Sequence, residues 1–234
     1  MDSKRLRERD AQGELLSLAA FSFTLPQKLG LEVDALCTFT GQGEDVRITY
    51  PAQMYWENQE TKNRFFLIPG HHKAEQHWRD MTPEVLAGEP FNIKKLEGVI
   101  VTPPLITTRD QAEWIVAQIQ ELRITSLGFI SSPFHLLRAY LTVLGQMKAA
   151  GIRIPVIPIP VYVAPHIVVP EQGVEAWELV QGEAERIAAY QKKGDVASYS
   201  DLKEYLHWLW EQPLLMRASG TKDGLQADIT SYTI

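Results

Sequence analysis

Apolar positions recur along the chain in two rhythms. Short unbroken runs at residues 33–40 (VDALCTFT), 64–69 (RFFLIP), 96–102 (LEGVIVT), 125–131 (TSLGFIS) and 154–161 (IPVIPIPV) have the character of strands buried on both faces. Between them, residues 46–59, 108–121 and 133–150 carry helical spacing, and in the third Leu136, Leu137, Tyr140, Leu141 and Leu144 mark one stripe. Strands alternating with helices predict βαβ units and an α/β, three-layer Rossmann-like fold with a mostly parallel sheet. Pro155, Pro158 and Pro160 cannot donate ladder hydrogen bonds, so the fifth run is expected at an edge or partly irregular. Residues 174–192 and about 199–211 predict two further helices, the second with Ser198 and Ser200 as caps and Leu202, Leu206 and Leu209 as its apolar face. Residues 216–234 show little periodicity, and no repeat or linker divides the chain. One domain over 1–234 is expected, its core at about 31–165 and a helical C-terminal extension at about 171–215.

Composition narrows the classes. With 45% hydrophobic and 22% charged residues over 234 positions, the chain has the balance of a soluble globular protein. The single cysteine, Cys37, lies in an apolar run, so nothing points to an oxidising compartment. A net charge of −6 argues against nucleic acid as the main partner, while leaving room for a local basic pocket. No stretch approaches the ~20 apolar residues of a membrane span. Glu8, Asp10 and Glu14 interrupt what would be a basic leader, and Thr24-Leu25-Pro26 is a poor cleavage site. The segment ELLSLAAFSFTL therefore reads as an amphipathic helix, and the expected location is cytoplasmic.

In open parallel sheets ligands bind beyond the carboxyl ends of the strands, so the segments after each run hold the candidate chemistry. After the first comes TGQGEDVR. Gly41 and Gly43 permit a tight turn and close backbone approach, and Arg47 could reach an anion. Val46 stands where a dinucleotide fingerprint has its third glycine, and there is no Walker A motif, so a plain strand-to-helix turn is the alternative. After the second run, Gly70 precedes His71, His72 and His77. Adjacent histidines point apart and no H-E-x-x-H accompanies them, so no metal site is expected. After the third run, Thr107 or Thr108 can cap a helix and Asp110 suits its first turn; Asp110 could instead orient a basic side chain or bind a sugar hydroxyl. After the fourth run comes SSPFHLLRA. Ser132 fits an N-cap and Pro133 the first helical position, while Ser131 and Ser132 set hydroxyls beside free N–H groups. His135 and Arg138, three apart, share a face. An anion seat and an ordinary capped helix with Arg138 paired to a carboxylate such as Asp110 both remain open.

These segments resemble the SanA, ElyC and YdcF family of bacterial α/β domains. Gly41, Gly43 and Arg47 look like its first-strand turn, LIPGH with Gly70 its second-strand end, TRDQA from Thr108 to Ala112 its helix start, and SSPFHLLRA its strand-to-helix turn. The likeness covers about residues 33–165, in order. Asp110 and Gln111 stand where the family usually has Glu and Asn, Gly70-His71 where it has two glycines, and the N-terminal anchor of many relatives is not expected here. The resemblance implies a Rossmann-like sheet, a link to cell-envelope processes and, from one soluble relative, an association with S-adenosylmethionine. It implies no established reaction.

Three functions follow. The first is binding of an anionic or nucleotide-like small molecule, a phosphate-containing metabolite or S-adenosylmethionine type, through Gly41, Gly43, Arg47, Gly70, Thr108, Ser131, Ser132 and Arg138. The second is a hydrolase or transferase acting on a phosphorylated or sugar-linked cell-envelope precursor, with His135 as general acid or base and Asp110 orienting it. It would need a water nucleophile, because no G-x-S-x-G elbow or carboxylate pair is present. The third is a non-catalytic protein-interaction module using Trp177, Tyr205, Trp208 and Trp210, with a homodimer as one form.

Overall fold

A computed structural model describes residues 27–70, 75 and 79–218. The segment read as an amphipathic N-terminal helix and the trio His71, His72 and His77 lie outside the described residues. Five runs form strands: β1 Ala35–Thr38, β2 Phe65–Gly70, β3 Val99–Pro104, β4 Leu127–Ser131 and β5 Val156–Pro160. Every pairing among them is parallel and the order is β3-β2-β1-β4-β5, a three-layer Rossmann-like α/β arrangement. The chain steps outward from β1 through β2 to β3, then returns to the other side of β1 for β4. That reversal opens a crevice beyond the carboxyl ends of β1 and β4. The proline-bearing β5 occupies one edge, and β3, ending in Pro103-Pro104, occupies the other, where missing donors cost no ladder bonds.

The helices are α1 Val46–Pro51, running into a π turn at Ala52–Trp56, α2 Pro83–Ala87, α3 Thr108–Glu121, α4 Pro133–Ala149, α5 Ala176–Val180, α6 Glu183–Lys193, α7 Tyr199–Trp210 and α8 Pro213–Ala218. The two-residue pleat of β4 assigns them to faces. A Cβ at Gly128 would meet Leu36 and Ile159, on the face where Gly30 packs against Tyr55 of the π turn and Ile159. Phe129 points the other way and meets Tyr140 of α4, whose hydroxyl donates to the Val156 carbonyl. Both faces of β1, β2 and β4 are therefore covered, which explains their unbroken apolar runs. Among the described residues, no helix is long and apolar enough to cross a membrane.

Two expected helices are shorter than their periodicity. The helix expected over 46–59 passes into the π turn and ends at Trp56. The helix expected over 174–192 is interrupted: Val174–Glu175 form β7 with β6 (Val168–Val169), and Gly182, at φ 83°, separates α5 from α6. Left-handed backbone cannot continue a helix, and glycine adopts it without steric cost.

Candidate functional site

A cavity of about 460 Å³ occupies the crevice, lined from the β1 side by Thr40, Gly41 and Gln42 and from the β4 side by Phe134, His135 and Arg138. The loop after β1 explains its glycines. Gly41, Gln42 and Gly43 all have positive φ (113°, 64° and 68°), a path that turns the chain back so that the Glu44 N–H reaches the Gly41 carbonyl. Gln42, the non-glycine in this bend, donates its N–H to Glu75 at 3.0 Å, while its Oε1 is buried in the site without a hydrogen-bond partner among the described residues.

Arg47 lies wholly within the protein at the back of the cavity. Its Nε donates to Ser132 Oγ at 2.9 Å, that hydroxyl donates to Glu44 Oε2 at 2.8 Å, and Nη2 lies 2.5 Å from the same carboxylate oxygen as an ion pair without hydrogen-bond alignment. The ring closes on itself. Burial pulls the guanidinium below its usual value and Glu44 opposes that pull; arginine stays charged throughout. Ser132 occupies the N-cap position of α4 but makes no side-chain cap, because its hydroxyl serves this ring instead. The start of α4 thus faces the crevice without the usual side-chain acceptor.

His135 is fixed from behind. Arg47 Nη1 and Ser131 Oγ each lie 3.4 Å from its Nδ1. A guanidinium can only donate, so Nδ1 is the acceptor, and the neutral ring carries its proton on Nε2. Burial, reinforced by the Arg138 and Arg47 charges, holds the imidazole well below the ordinary histidine value, so it is neutral at physiological pH. Its Nε2 is buried with no partner among the described residues, in a residue only 8% exposed that lines the cavity. The arrangement presents an N–H donor to an oxygen rather than a base to a proton.

Arg138, one turn further along α4, engages Glu183 of α6 through Nε at 2.8 Å and Nη2 at 3.4 Å, with the Tyr190 ring 5.8 Å from its guanidinium carbon. Arg186 donates to Glu183 at 2.6 Å. All four side chains line the cavity.

The cavity thus brings Gly41, Arg47, Thr108, His135 and Arg138 together. Ser131 and Ser132 reach it through His135 and Arg47. Gly70 accepts a hydrogen bond from Gln111 Nε2 at 3.0 Å, and a Cβ there would meet the Thr102 and Pro103 carbonyls at 2.7 Å, so close strand approach accounts for that glycine. Asp110 accepts from the Thr107 N–H at 2.9 Å while the Thr107 hydroxyl accepts from the Asp110 N–H, a reciprocal helix cap. Gly43 serves the bend. Of the aromatic residues at the C-terminal end, Tyr205 is buried against Tyr140 and Trp208, whereas Trp177 and Trp210 are exposed. Sequence reasoning missed Gln42, Glu44, Glu183 and Arg186. Gln42 was marked by lying between two glycines; each glutamate stands three residues before an arginine it pairs with, a local sign that was not read, whereas its second partner, Ser132 or Arg138, lies on a distant segment. Among the described residues, no group of three or more His, Cys, Asp or Glu gathers as a metal site. No protein-family model matches the chain, and no curated protein matches it.

Proposed function

We propose that this protein binds an anionic or nucleotide-like small molecule, a phosphate-containing metabolite or one of S-adenosylmethionine type, in the crevice beyond β1 and β4. The observation that carries the reading is the buried Nε2–H of His135, which has no partner among the described residues. A buried donor without an acceptor is costly, and a ligand oxygen relieves the cost. The side-chain-uncapped start of α4 and the Arg138–Arg186 pair add positive potential beside it. The free Gln42 oxygen offers an acceptor for a ribose hydroxyl or an amino group. We also propose that it is a SanA/ElyC/YdcF-like protein working in the cytoplasm; the single, buried thiol of Cys37 supports a reducing compartment.

Binding is favoured over acid–base catalysis because Nδ1 is engaged, the ring is neutral, and Asp110 is committed to its helix cap. The test is a thermal-shift screen of nucleotides, nucleotide sugars, inorganic phosphates and S-adenosylmethionine, followed by calorimetry on the hits. A hit should stabilise the wild type and weaken about 12- to 150-fold in His135→Ala, the range for removing one donor to a charged group. A screen in which nothing stabilises the wild type, or every hit binds the His135 variant equally, contradicts the reading.

A further inference from the structure

Glu183 stands on the cavity wall between Arg138 and Arg186. Its carboxylate is held in a fork by Arg138 and from the side by Arg186, and its side chain is only 12% exposed on the cavity wall. Two guanidinium charges face one carboxylate, so the cluster keeps excess positive charge. We propose that Glu183 is a resident stand-in for a ligand phosphoryl group, which displaces it from Arg138 and frees the start of α6. The inference rests on the binding reading above and names the ligand class. A carboxylate would exchange like for like against a tethered competitor at high effective concentration. A phosphoryl group brings more charge and three acceptor oxygens, enough for Arg138, Arg186 and the His135 Nε2–H together. The first turn of α6 is suited to release. Ile187 is the one fully buried side chain of that helix, Tyr190 packs partly against the core, and Gly182 joins α6 to α5 with no backbone atom crowding its Cβ position. Glu183 therefore sets specificity by excluding anions that bind no better than it does.

The experiment is calorimetric titration of wild type, Glu183→Gln and Glu183→Asp with inorganic pyrophosphate and ADP, beside hydrogen exchange of residues 183–193. Neutralising the stand-in should lower Kd about tenfold, and Glu183→Asp, which keeps the charge on a shorter arm, should fall between. In the wild type pyrophosphate should speed exchange in the first turn of α6; in Glu183→Gln that turn should already exchange fast. Equal Kd in all three chains, or unchanged exchange on binding, overturns the inference. If S-adenosylmethionine binds in a His135-dependent way while pyrophosphate and ADP do not, the phosphoryl inference falls and the pocket reading stands. If none of these compounds binds any chain, both fall.

Discussion

Arg47 and Arg138 each meet a glutamate at ion-pair distance, 2.5 Å and 2.8 Å, yet the two pairs belong to different parts of the protein's work. Around Arg47 the partners form a closed ring of Glu44 and Ser132, with side chains 1% and 5% exposed in the pair. Around Arg138 the side chains are 19% and 12% exposed, a second arginine shares the carboxylate, and a cavity adjoins them. The first pair braces the back of the crevice and orients His135. The second stands where solvent and ligands can compete for it. The chemical identity of a pair does not decide its role; what decides is whether another group can replace one partner.

That contrast is broken most sharply at Arg47. Arg47→Met strands a buried Glu44 charge and should cost about 3–5 kcal/mol, measured by urea unfolding. Adding Glu44→Gln should recover much of the loss, since the double variant leaves no buried charge. A single variant as stable as the wild type would remove Arg47 from its bracing role.

The next largest effect is a pH dependence. His135 is neutral in the native state well below the ordinary histidine value of 6.5, whereas the unfolded chain takes up its proton near that value. The stability this provides is complete above pH 6.5 and is lost as pH falls below it, with a slope of about 1.4 kcal/mol per pH unit for one proton. His135→Leu should flatten that limb in unfolding curves taken between pH 5 and 7. A smaller effect is expected at the open pair: Arg138→Ala should cost about 1 kcal/mol of stability while weakening any phosphoryl ligand. Smallest is Asp110→Ala, which should lose about 0.5–1 kcal/mol of helix capping and leave ligand affinity unchanged; a large affinity loss there would tie Asp110 to the site.

Much of this architecture was legible from local signals. Thr107 or Thr108, with Asp110, marked the start of α3, where Thr107 is the cap, and Pro133 marked the start of α4 to the residue. The prolines of 154–161 pointed to an edge or a partly irregular run, and β5 lies at an edge. Thr82-Pro83-Glu84 carried the cap signal for α2, and only the helix's brevity hid it. The break at Gly182 escaped because periodicity averages over a single left-handed residue. At the site, Gly41, Arg47, His135 and Arg138 were visible as a strand-end pattern; Glu44, three residues before Arg47, lay within the same window and was passed over, but the long-range contacts were not visible. The contact of Arg138 with Glu183 spans 45 positions and that of Ser132 with Glu44 spans 88. Such pairings arise from packing, which no short window records.

The central claim is that His135 offers a neutral Nε2–H to a ligand oxygen, and nitrogen-15 NMR of its imidazole tests it directly. The expected result is the Nε2–H tautomer, unprotonated at Nδ1 down to pH 6, with the Nε2 resonance moving on addition of pyrophosphate or of any compound that stabilises the protein. A ring protonated at pH 6, a proton on Nδ1, or an Nε2 resonance indifferent to every such compound would contradict it.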